Sequence, residues 1–179
     1  MVKQNLNLSE QALTANIWEE EISLERNEYL RNQGDIDRSV YLITEGCLRV
    51  FVIDELEEHS IRFAYQGNIT AALDSHFTGQ PTDIFIQALR KTKVKKASYQ
   101  SFMTWIDSNA ALKDTWMETL KALVLQQMER ERDLLCASPL TRYNRVLKRS
   151  PQLFQEVPAK YIANYLRMTP ETLSRLQKS

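Results

Sequence analysis

The chain has 179 residues, with 23 lysines and arginines balanced by 23 acids for a net charge of zero. That length holds one large domain or two small ones with real cores, and the chain as a whole advertises no polyanion partner. Its apolar runs are too short to cross a bilayer, the polar opening 1–7 is no signal peptide, and Cys47 and Cys136 form neither a metal spacing nor a disulfide framework. A membrane protein and a disulfide-stapled secreted domain are therefore excluded, and the expectation is a cytoplasmic protein with reduced thiols and no membrane partner.

Glycine and proline divide the chain. All four glycines (34, 46, 67, 79) precede residue 80, and all five prolines (81, 139, 151, 158, 170) follow it. Glycine supplies the positive-φ positions of tight β turns. Val40, Leu42, Leu48, Val50 and Val52 recur every second residue around Gly46, the pattern of a half-buried hairpin. Ile61 and Phe63 continue it after an acidic turn at 54–58. Ile84, Ile86 and Ala88 make a further strand, and Val94 sits in the last. Short strands so closely spaced predict a small antiparallel barrel or roll over about 23–99.

The period then changes. No Gly or Pro occurs in 101–137, where Leu112, Trp116, Leu120, Leu123, Val124, Met128, Leu134 and Leu135 recur at helical spacing. The stretch is long for one globular helix, and Ser108-Asn109 is a candidate interruption. Its stripe must pack on the roll or pair with a twin, and Gln127 and Arg130 dilute it. Ser138-Pro139 ends it. A short basic helix over 140–149 stops at Ser150-Pro151, which with Pro158 brackets a hinge.

Residues 157–178 have the spacing of a helix-turn-helix. Ile162, Ala163 and Leu166 form the buried face of a first helix, and Met168-Thr169-Pro170 breaks it. Thr169 can cap a second helix, Pro170 suits its first position, and Glu171 complements the helix dipole. Leu173 and Leu176 face inward, and Thr172, Arg175 and Lys178 outward. From Arg142 onward eight basic residues face two acids, a net +6 that leaves −6 for residues 1–141. Such asymmetry points to a nucleic-acid-binding arm. A helix-turn-helix that reads paired half-sites also favours a homodimer through the 101–137 helix.

In this order, roll, long helix and helix-turn-helix resemble the Crp–Fnr family of bacterial transcription regulators. Gln33-Gly34-Asp35 with 40–50 resembles that family's turn, strand and Gly-centred hairpin, 67–89 its phosphate-binding cassette, and 162–166 with 169–175 its two DNA-reading helices. Phe-Thr-Gly-Gln-Pro-Thr at 77–82 resembles the branch found in Bacteroidetes-type bacteria. The fold class implied is α+β: an antiparallel β-roll or jelly roll flanked by helices, a long dimerisation helix, and a small helix-turn-helix. The division implied is 1–100 for the sensor roll, 101–137 for the connecting helix and 138–179 for the DNA-binding part. The printed chain stops at Ser179, before the β hairpin, or wing, that family members add, so the last helix is expected to find few packing partners. Arg167 stands where the turn usually has Gly, at about 1 kcal/mol of left-handed strain.

The resemblance implies base contacts from Glu171 and Arg175, which lie four apart on one helix face. Arg suits guanine O6 and N7, and Glu accepts from the cytosine amine. Thr169, Thr172, Ser174, Lys178 and Tyr165 are placed for phosphates and the groove. In the effector pocket the family's ribose-binding Gly-Glu falls on Ala71-Ala72, its phosphate-binding Arg on Thr82, and its hydroxyl residue on Asp83. Without that cation a cyclic phosphate loses about 2–5 kcal/mol, so cyclic AMP is not the expected ligand. His59, His76 and Arg62 are the remaining polar candidates. No cofactor is expected: no Cys precedes Cys47 for an iron–sulfur cluster, and two lone histidines carry no haem or metal signal. No catalytic motif points to an enzyme. The expected function is sequence-specific DNA binding at a palindrome, with RNA polymerase as an implied partner and an unknown small effector or none. The alternative is a dimeric scaffold, or a sensor of another ligand, that has lost DNA binding.

Overall fold

The computed structural model describes residues 8–178; the opening 1–7 and Ser179, with the expectations that fall on them, lie outside the described residues. The fold is α+β. A short helix α1 (Leu8–Leu13) leads into strands β1 (Glu20–Leu24), β2 (Tyr29–Arg31), β3 (Val40–Glu45), β4 (Cys47–Asp54), β5 (Glu57–Tyr65) and β6 (Ile69–Thr70). Helix α2 (Leu73–Thr78) precedes β7 (Phe85–Ala88) and β8 (Thr92–Ala97). The strands form two antiparallel four-stranded sheets, in the orders β1-β8-β3-β6 and β2-β7-β4-β5. The roll thus begins at Glu20, a little before the expected 23.

Between the sheets lies a core of Leu24, Leu30, Tyr41, Ile43, Leu48, Val50, Ala64, Ile86, Ala88 and Val94. On β3 the phase is opposite to the one expected. Tyr41 and Ile43 face this core, while Val40 packs outward with Leu8, Phe102 and Ile106. The β3–β4 hairpin is not half-buried either: residues 40–43 and 47–51 are buried without alternation. Helices cover the outer faces of β3 and β4, so both sides of these strands exclude water over 40–43 and 47–51. Gly46, at φ +96°, joins the two strands. A Cβ there would come within 2.5 Å of the Lys91 carbonyl and closer still to Thr92 Oγ1, so only glycine fits.

The helical half starts with α3 (Tyr99–Asp107) and α4 (Ala110–Leu135). The break falls at Ser108-Asn109, where the Asn109 side chain accepts from the Leu112 amide at 2.9 Å and caps α4. The expected stripe of α4 is split: Leu112 and Trp116 pack toward α3, whereas Met117, Val124, Leu125, Met128 and Leu135 are exposed.

Beyond α4 lie α5 (Pro139–Arg149), α6 (Pro151–Glu156), α7 (Ala159–Tyr165) and α8 (Pro170–Lys178). The bracketed hinge therefore contains a helix, α6, that its short sequence did not announce, anchored by buried Leu153. The turn between α7 and α8 places Arg167 at φ +52°, with the Met168 amide bonded to the Ala163 carbonyl at 3.0 Å. That is a left-handed helix stop made without glycine. Buried Arg142 braces it by donating to the Arg167 carbonyl at 3.0 Å and the Cys136 carbonyl at 2.6 Å.

The tail is not isolated. Val146, Leu153, Val157, Ile162, Leu166 and Leu173 share one cluster with Cys47, Phe63 and Leu89 of the roll. The expectation of few packing partners for the last helix is corrected here, because α7 and α5 pack against it, α7 in turn lies on β5, and Leu173 is fully buried. β5 is an edge strand, and side chains occupy its free edge. Asn164 Nδ2 donates to the Glu58 carbonyl at 2.6 Å, its Oδ1 accepts from the Ser60 amide at 2.7 Å, and Arg130 Nη2 donates to the Ser60 carbonyl at 3.3 Å. Buried Arg49 stands between roll and tail, bonded to Ser60 Oγ and stacked under Tyr161.

Candidate nucleic-acid interface and effector pocket

The residues expected to contact DNA lie on α8 or just before it, except Tyr165, which ends α7. The Thr169 hydroxyl accepts from the Thr172 amide at 3.2 Å, so the expected cap is made. Glu171, Arg175 and Lys178 are exposed together with Thr169, while Thr172 and Ser174 are half-buried. The free amide at the helix start and the Thr169 hydroxyl hold the Glu171 carboxyl below its ordinary pKa, so it is anionic at neutral pH. Arg175 has no acidic partner among the described residues; its nearest bond is a long one, 3.5 Å, to the Thr172 hydroxyl. Tyr165 is placed differently. Its ring packs edge-on against Phe63 at 5.6 Å and lies 3.7 Å beneath the Arg130 guanidinium, against the roll rather than beside α8.

The basic charge of the tail is also partly spent. Arg145 and Arg149 clasp Asp133 and Glu129 of α4, and Arg142 is buried on backbone carbonyls. Burial would raise the Asp133 carboxyl, but bonds from Arg149 and Arg145 outweigh it and its pKa is lowered. These pairs weld α5 to α4. Lys148, Lys160, Arg167, Arg175 and Lys178 remain exposed as cations for a polyanion. Nothing local in the sequence separates the two groups of basic residues, because the carboxylates that claim Arg145 and Arg149 belong to another helix.

The residues of the expected effector pocket gather around α2. Ala71 lines a small cavity of about 180 Å³ with Val50, Ile61, Arg62, Ile84 and Asp74. Ala72 is buried in the roll core at the start of α2. Thr82 and Asp83 turn toward Asp74 instead. Thr82 Oγ1 donates to Asp74 Oδ1 at 2.7 Å, and the Asp83 and Ser75 amides donate to the same carboxylate at 2.8 Å. Desolvation pushes the Asp74 carboxyl up, yet these donors pull it down further, and its pKa is lowered. The donors that could receive an anionic oxygen at this loop are therefore occupied by a carboxylate of the chain itself. Asp74 was invisible as a functional position because its partners lie eight and nine residues away across a turn.

His76 is buried, with its ring nitrogen 2.7 Å from the Arg38 carbonyl. His59 is half-buried on β5. Burial pushes the Cys47 thiol up to about 12, as befits a packed, unreactive sulfur. Among the described residues no three His, Cys, Asp or Glu side chains gather as a metal site requires, and no helix is long and apolar enough to cross a membrane.

Residues 21–109 match the family model described as the cyclic nucleotide-binding domain. No curated protein matches the sequence. Among solved structures, a mutant of CooA from Carboxydothermus hydrogenoformans is 19% identical with a TM-score of 0.76, covering 97% of this chain and 83% of that one. FixK2 from Bradyrhizobium japonicum is 17% identical with a TM-score of 0.69, over 89% and 82% of the two chains. The sensor domain of the transcriptional regulator DNR from Pseudomonas aeruginosa is 16% identical with a TM-score of 0.54, over 62% and 74%. At such identities the likeness shows the fold alone, one shared with CooA and FixK2.

Proposed function

We propose that the chain is a sequence-specific DNA-binding transcription regulator of the Crp–Fnr type. In this reading residues 1–100 are the sensor roll, 101–137 the connecting segment and 138–179 the reading head. The observation that carries it is α8: a capped helix whose buried Leu173 faces the protein while Glu171, Arg175 and Lys178 face solvent together. A helix with that outward chemistry fits a major groove, with Arg175 and Glu171 reading a G·C step and Thr169, Thr172, Ser174 and Lys178 holding phosphates and the groove wall. Tyr165 joins that set only if α7 lifts from the roll. The exposed residues Met117, Val124, Met128 and Leu135 recur on one side of α4 and support pairing with a second copy, which would present two heads to a palindrome. RNA polymerase is the further partner such a regulator engages.

The pocket reading supports a regulator indifferent to cyclic AMP. Thr82 brings no charge, Asp83 brings the wrong one, and Asp74 already takes the local donors. The missing charged contact costs about 2–5 kcal/mol, a thirtyfold loss or more. Calorimetry is expected to detect no micromolar binding of cyclic AMP. The second reading, a dimeric scaffold without DNA binding, draws on the docked tail, in which Asn164 and Tyr165 are engaged by the roll. Selecting DNA sequences on the purified protein at two salt concentrations separates the two. A regulator yields a palindrome whose log affinity falls with log salt by about 0.9 per phosphate neutralised; enrichment of no sequence refutes the proposal.

A further inference from the structure

A cleft of about 460 Å³ opens between the roll, α4 and the tail. Its walls carry three cations, Arg62, Arg130 and Arg149, and four amides, Asn68, Gln126, Gln127 and Gln152, but no carboxylate. Arg149 is neutralised by Asp133 and Glu129. The other two are not. Arg130 is only 7% exposed, and its Nη1 has no hydrogen-bond partner. Among the described residues its sole hydrogen-bond acceptor is the Ser60 carbonyl, with the Tyr165 ring against its face. The Arg62 guanidinium has no hydrogen bond or ion pair to any described residue. Burial lowers the pKa of both guanidinium groups, half-buried Arg62 and buried Arg130, although the Asp133 charge partly offsets it at Arg130. A buried charge with an open donor is a costly arrangement for a protein to keep unless something compensates it.

We infer that this cleft binds a small oxyanion, a phosphoryl or carboxylate group carried on a compact molecule, between Arg62 and Arg130. The planar guanidinium is the side chain best matched to both head groups, because its donors are held in a fork that pairs with two oxygens. The volume exceeds what a bare anion fills and lies in the range of small-molecule sites. Phe63 and Tyr165 on the same walls offer an apolar or aromatic surface to the body of the ligand. This cleft shares Ile61, Arg62 and Gln127 with the small cavity beside Ala71 but extends beyond it to Arg130, Arg149 and the tail, and it stands whether or not the tail reads DNA. Its walls come from β5, α4, α5, α6 and α7, so the cleft is complete only while the tail is docked on the roll. Anion binding therefore favours the docked arrangement by mass action.

The test is thermal unfolding of the full chain with sodium phosphate, pyrophosphate or benzoate, each against sodium chloride at equal ionic strength. At about 100-fold over the dissociation constant the midpoint is expected to rise by roughly 5–10 °C. The phosphate and benzoate arms separate a phosphoryl from a carboxylate ligand. The rise is expected to vanish in Arg62→Gln, which removes a cation with no protein partner, and to persist in Lys148→Gln, which removes an exposed cation of the tail. In the same samples hydrogen exchange at the Ser60 amide, bonded to Asn164, is expected to slow when the anion binds. No rise beyond chloride with any of the three probes overturns the inference, as does an equal rise in Arg62→Gln. A rise that leaves Ser60 exchange unchanged overturns the placement of the anion between roll and tail.

Discussion

Asn164→Ala tests the seam that joins the tail to the roll. The Asn164 side chain makes two bonds to the free edge of β5, at 2.6 and 2.7 Å. They are not equivalent. Glu58 is exposed, so its carbonyl can turn to water once Asn164 is gone. Ser60 is buried, so its amide is left without a partner. A neutral hydrogen bond contributes about 0.5–1.5 kcal/mol net, and a stranded buried donor costs about 1–3 kcal/mol more. The variant should therefore lose roughly 2–4 kcal/mol. The Ser60 amide can recover water only if α7 lifts away, which would sacrifice the contact of Tyr165 with Phe63. In urea, with a denaturant slope of about 1–3 kcal/mol/M, the midpoint should fall by about 1–2 M. All three tryptophans (18, 105, 116) lie before the tail, so fluorescence reports on the roll and α3–α4, while circular dichroism also reads the tail helices. The control is Asn144→Ala on the exposed side of α5, where the stability should stay within about 0.5 kcal/mol of the parent. Equal responses of the two variants would refute the reasoning, because the tail would then not be held by the edge of β5.

Arg175→Ala should weaken binding to the selected DNA site by about 1–3 kcal/mol and relax preference at one base position; uniform weakening across all sequences would make Arg175 a phosphate contact instead. Burial lowers the His76 pKa below 6.5, against the opposing bond to the Arg38 carbonyl. The unfolded chain then binds more protons than the folded one between the folded value and 6.5, so this stability is present above pH 6.5 and lost as pH falls through the folded value. His76→Gln should flatten the stability–pH curve in that window, and an unchanged slope would dismiss the linkage. With its thiol near 12, Cys47 should resist iodoacetamide in the native protein while half-buried Cys136 reacts; equal labelling of both thiols at mild pH would contradict the packing around Cys47.

The order of elements was legible from local signals, because periodicity, caps and breakers act over a few residues. The interruption at Ser108-Asn109, the cap at Thr169 and the turn at Arg167 could be placed that way; the first two depend on side chains bonding their own neighbouring backbone, and the third on the backbone bond from Met168 to Ala163. Burial of the strands was harder to read. Alternation reports one covered face, and it failed on β3 and β4 because distant helices cover the second. The candidate site divides along the same line. The outward face of α8 follows from helical spacing, but the fate of the basic residues around it does not. Arg145 and Arg149 are claimed by α4, Arg142 by backbone carbonyls, and Arg130, which looked like a dilution of an apolar stripe, points an unpartnered donor into a cleft. By itself the sequence determined most of the strands and helices, though not α6, and which helix carries the outward chemistry. Only the tertiary structure decided that the tail docks on the edge of β5, which cations stay exposed, and that Asp74 takes the donors of the α2 loop. Those outcomes depend on contacts between residues far apart in the chain, and no local pattern encodes which distant partner a polar side chain will meet.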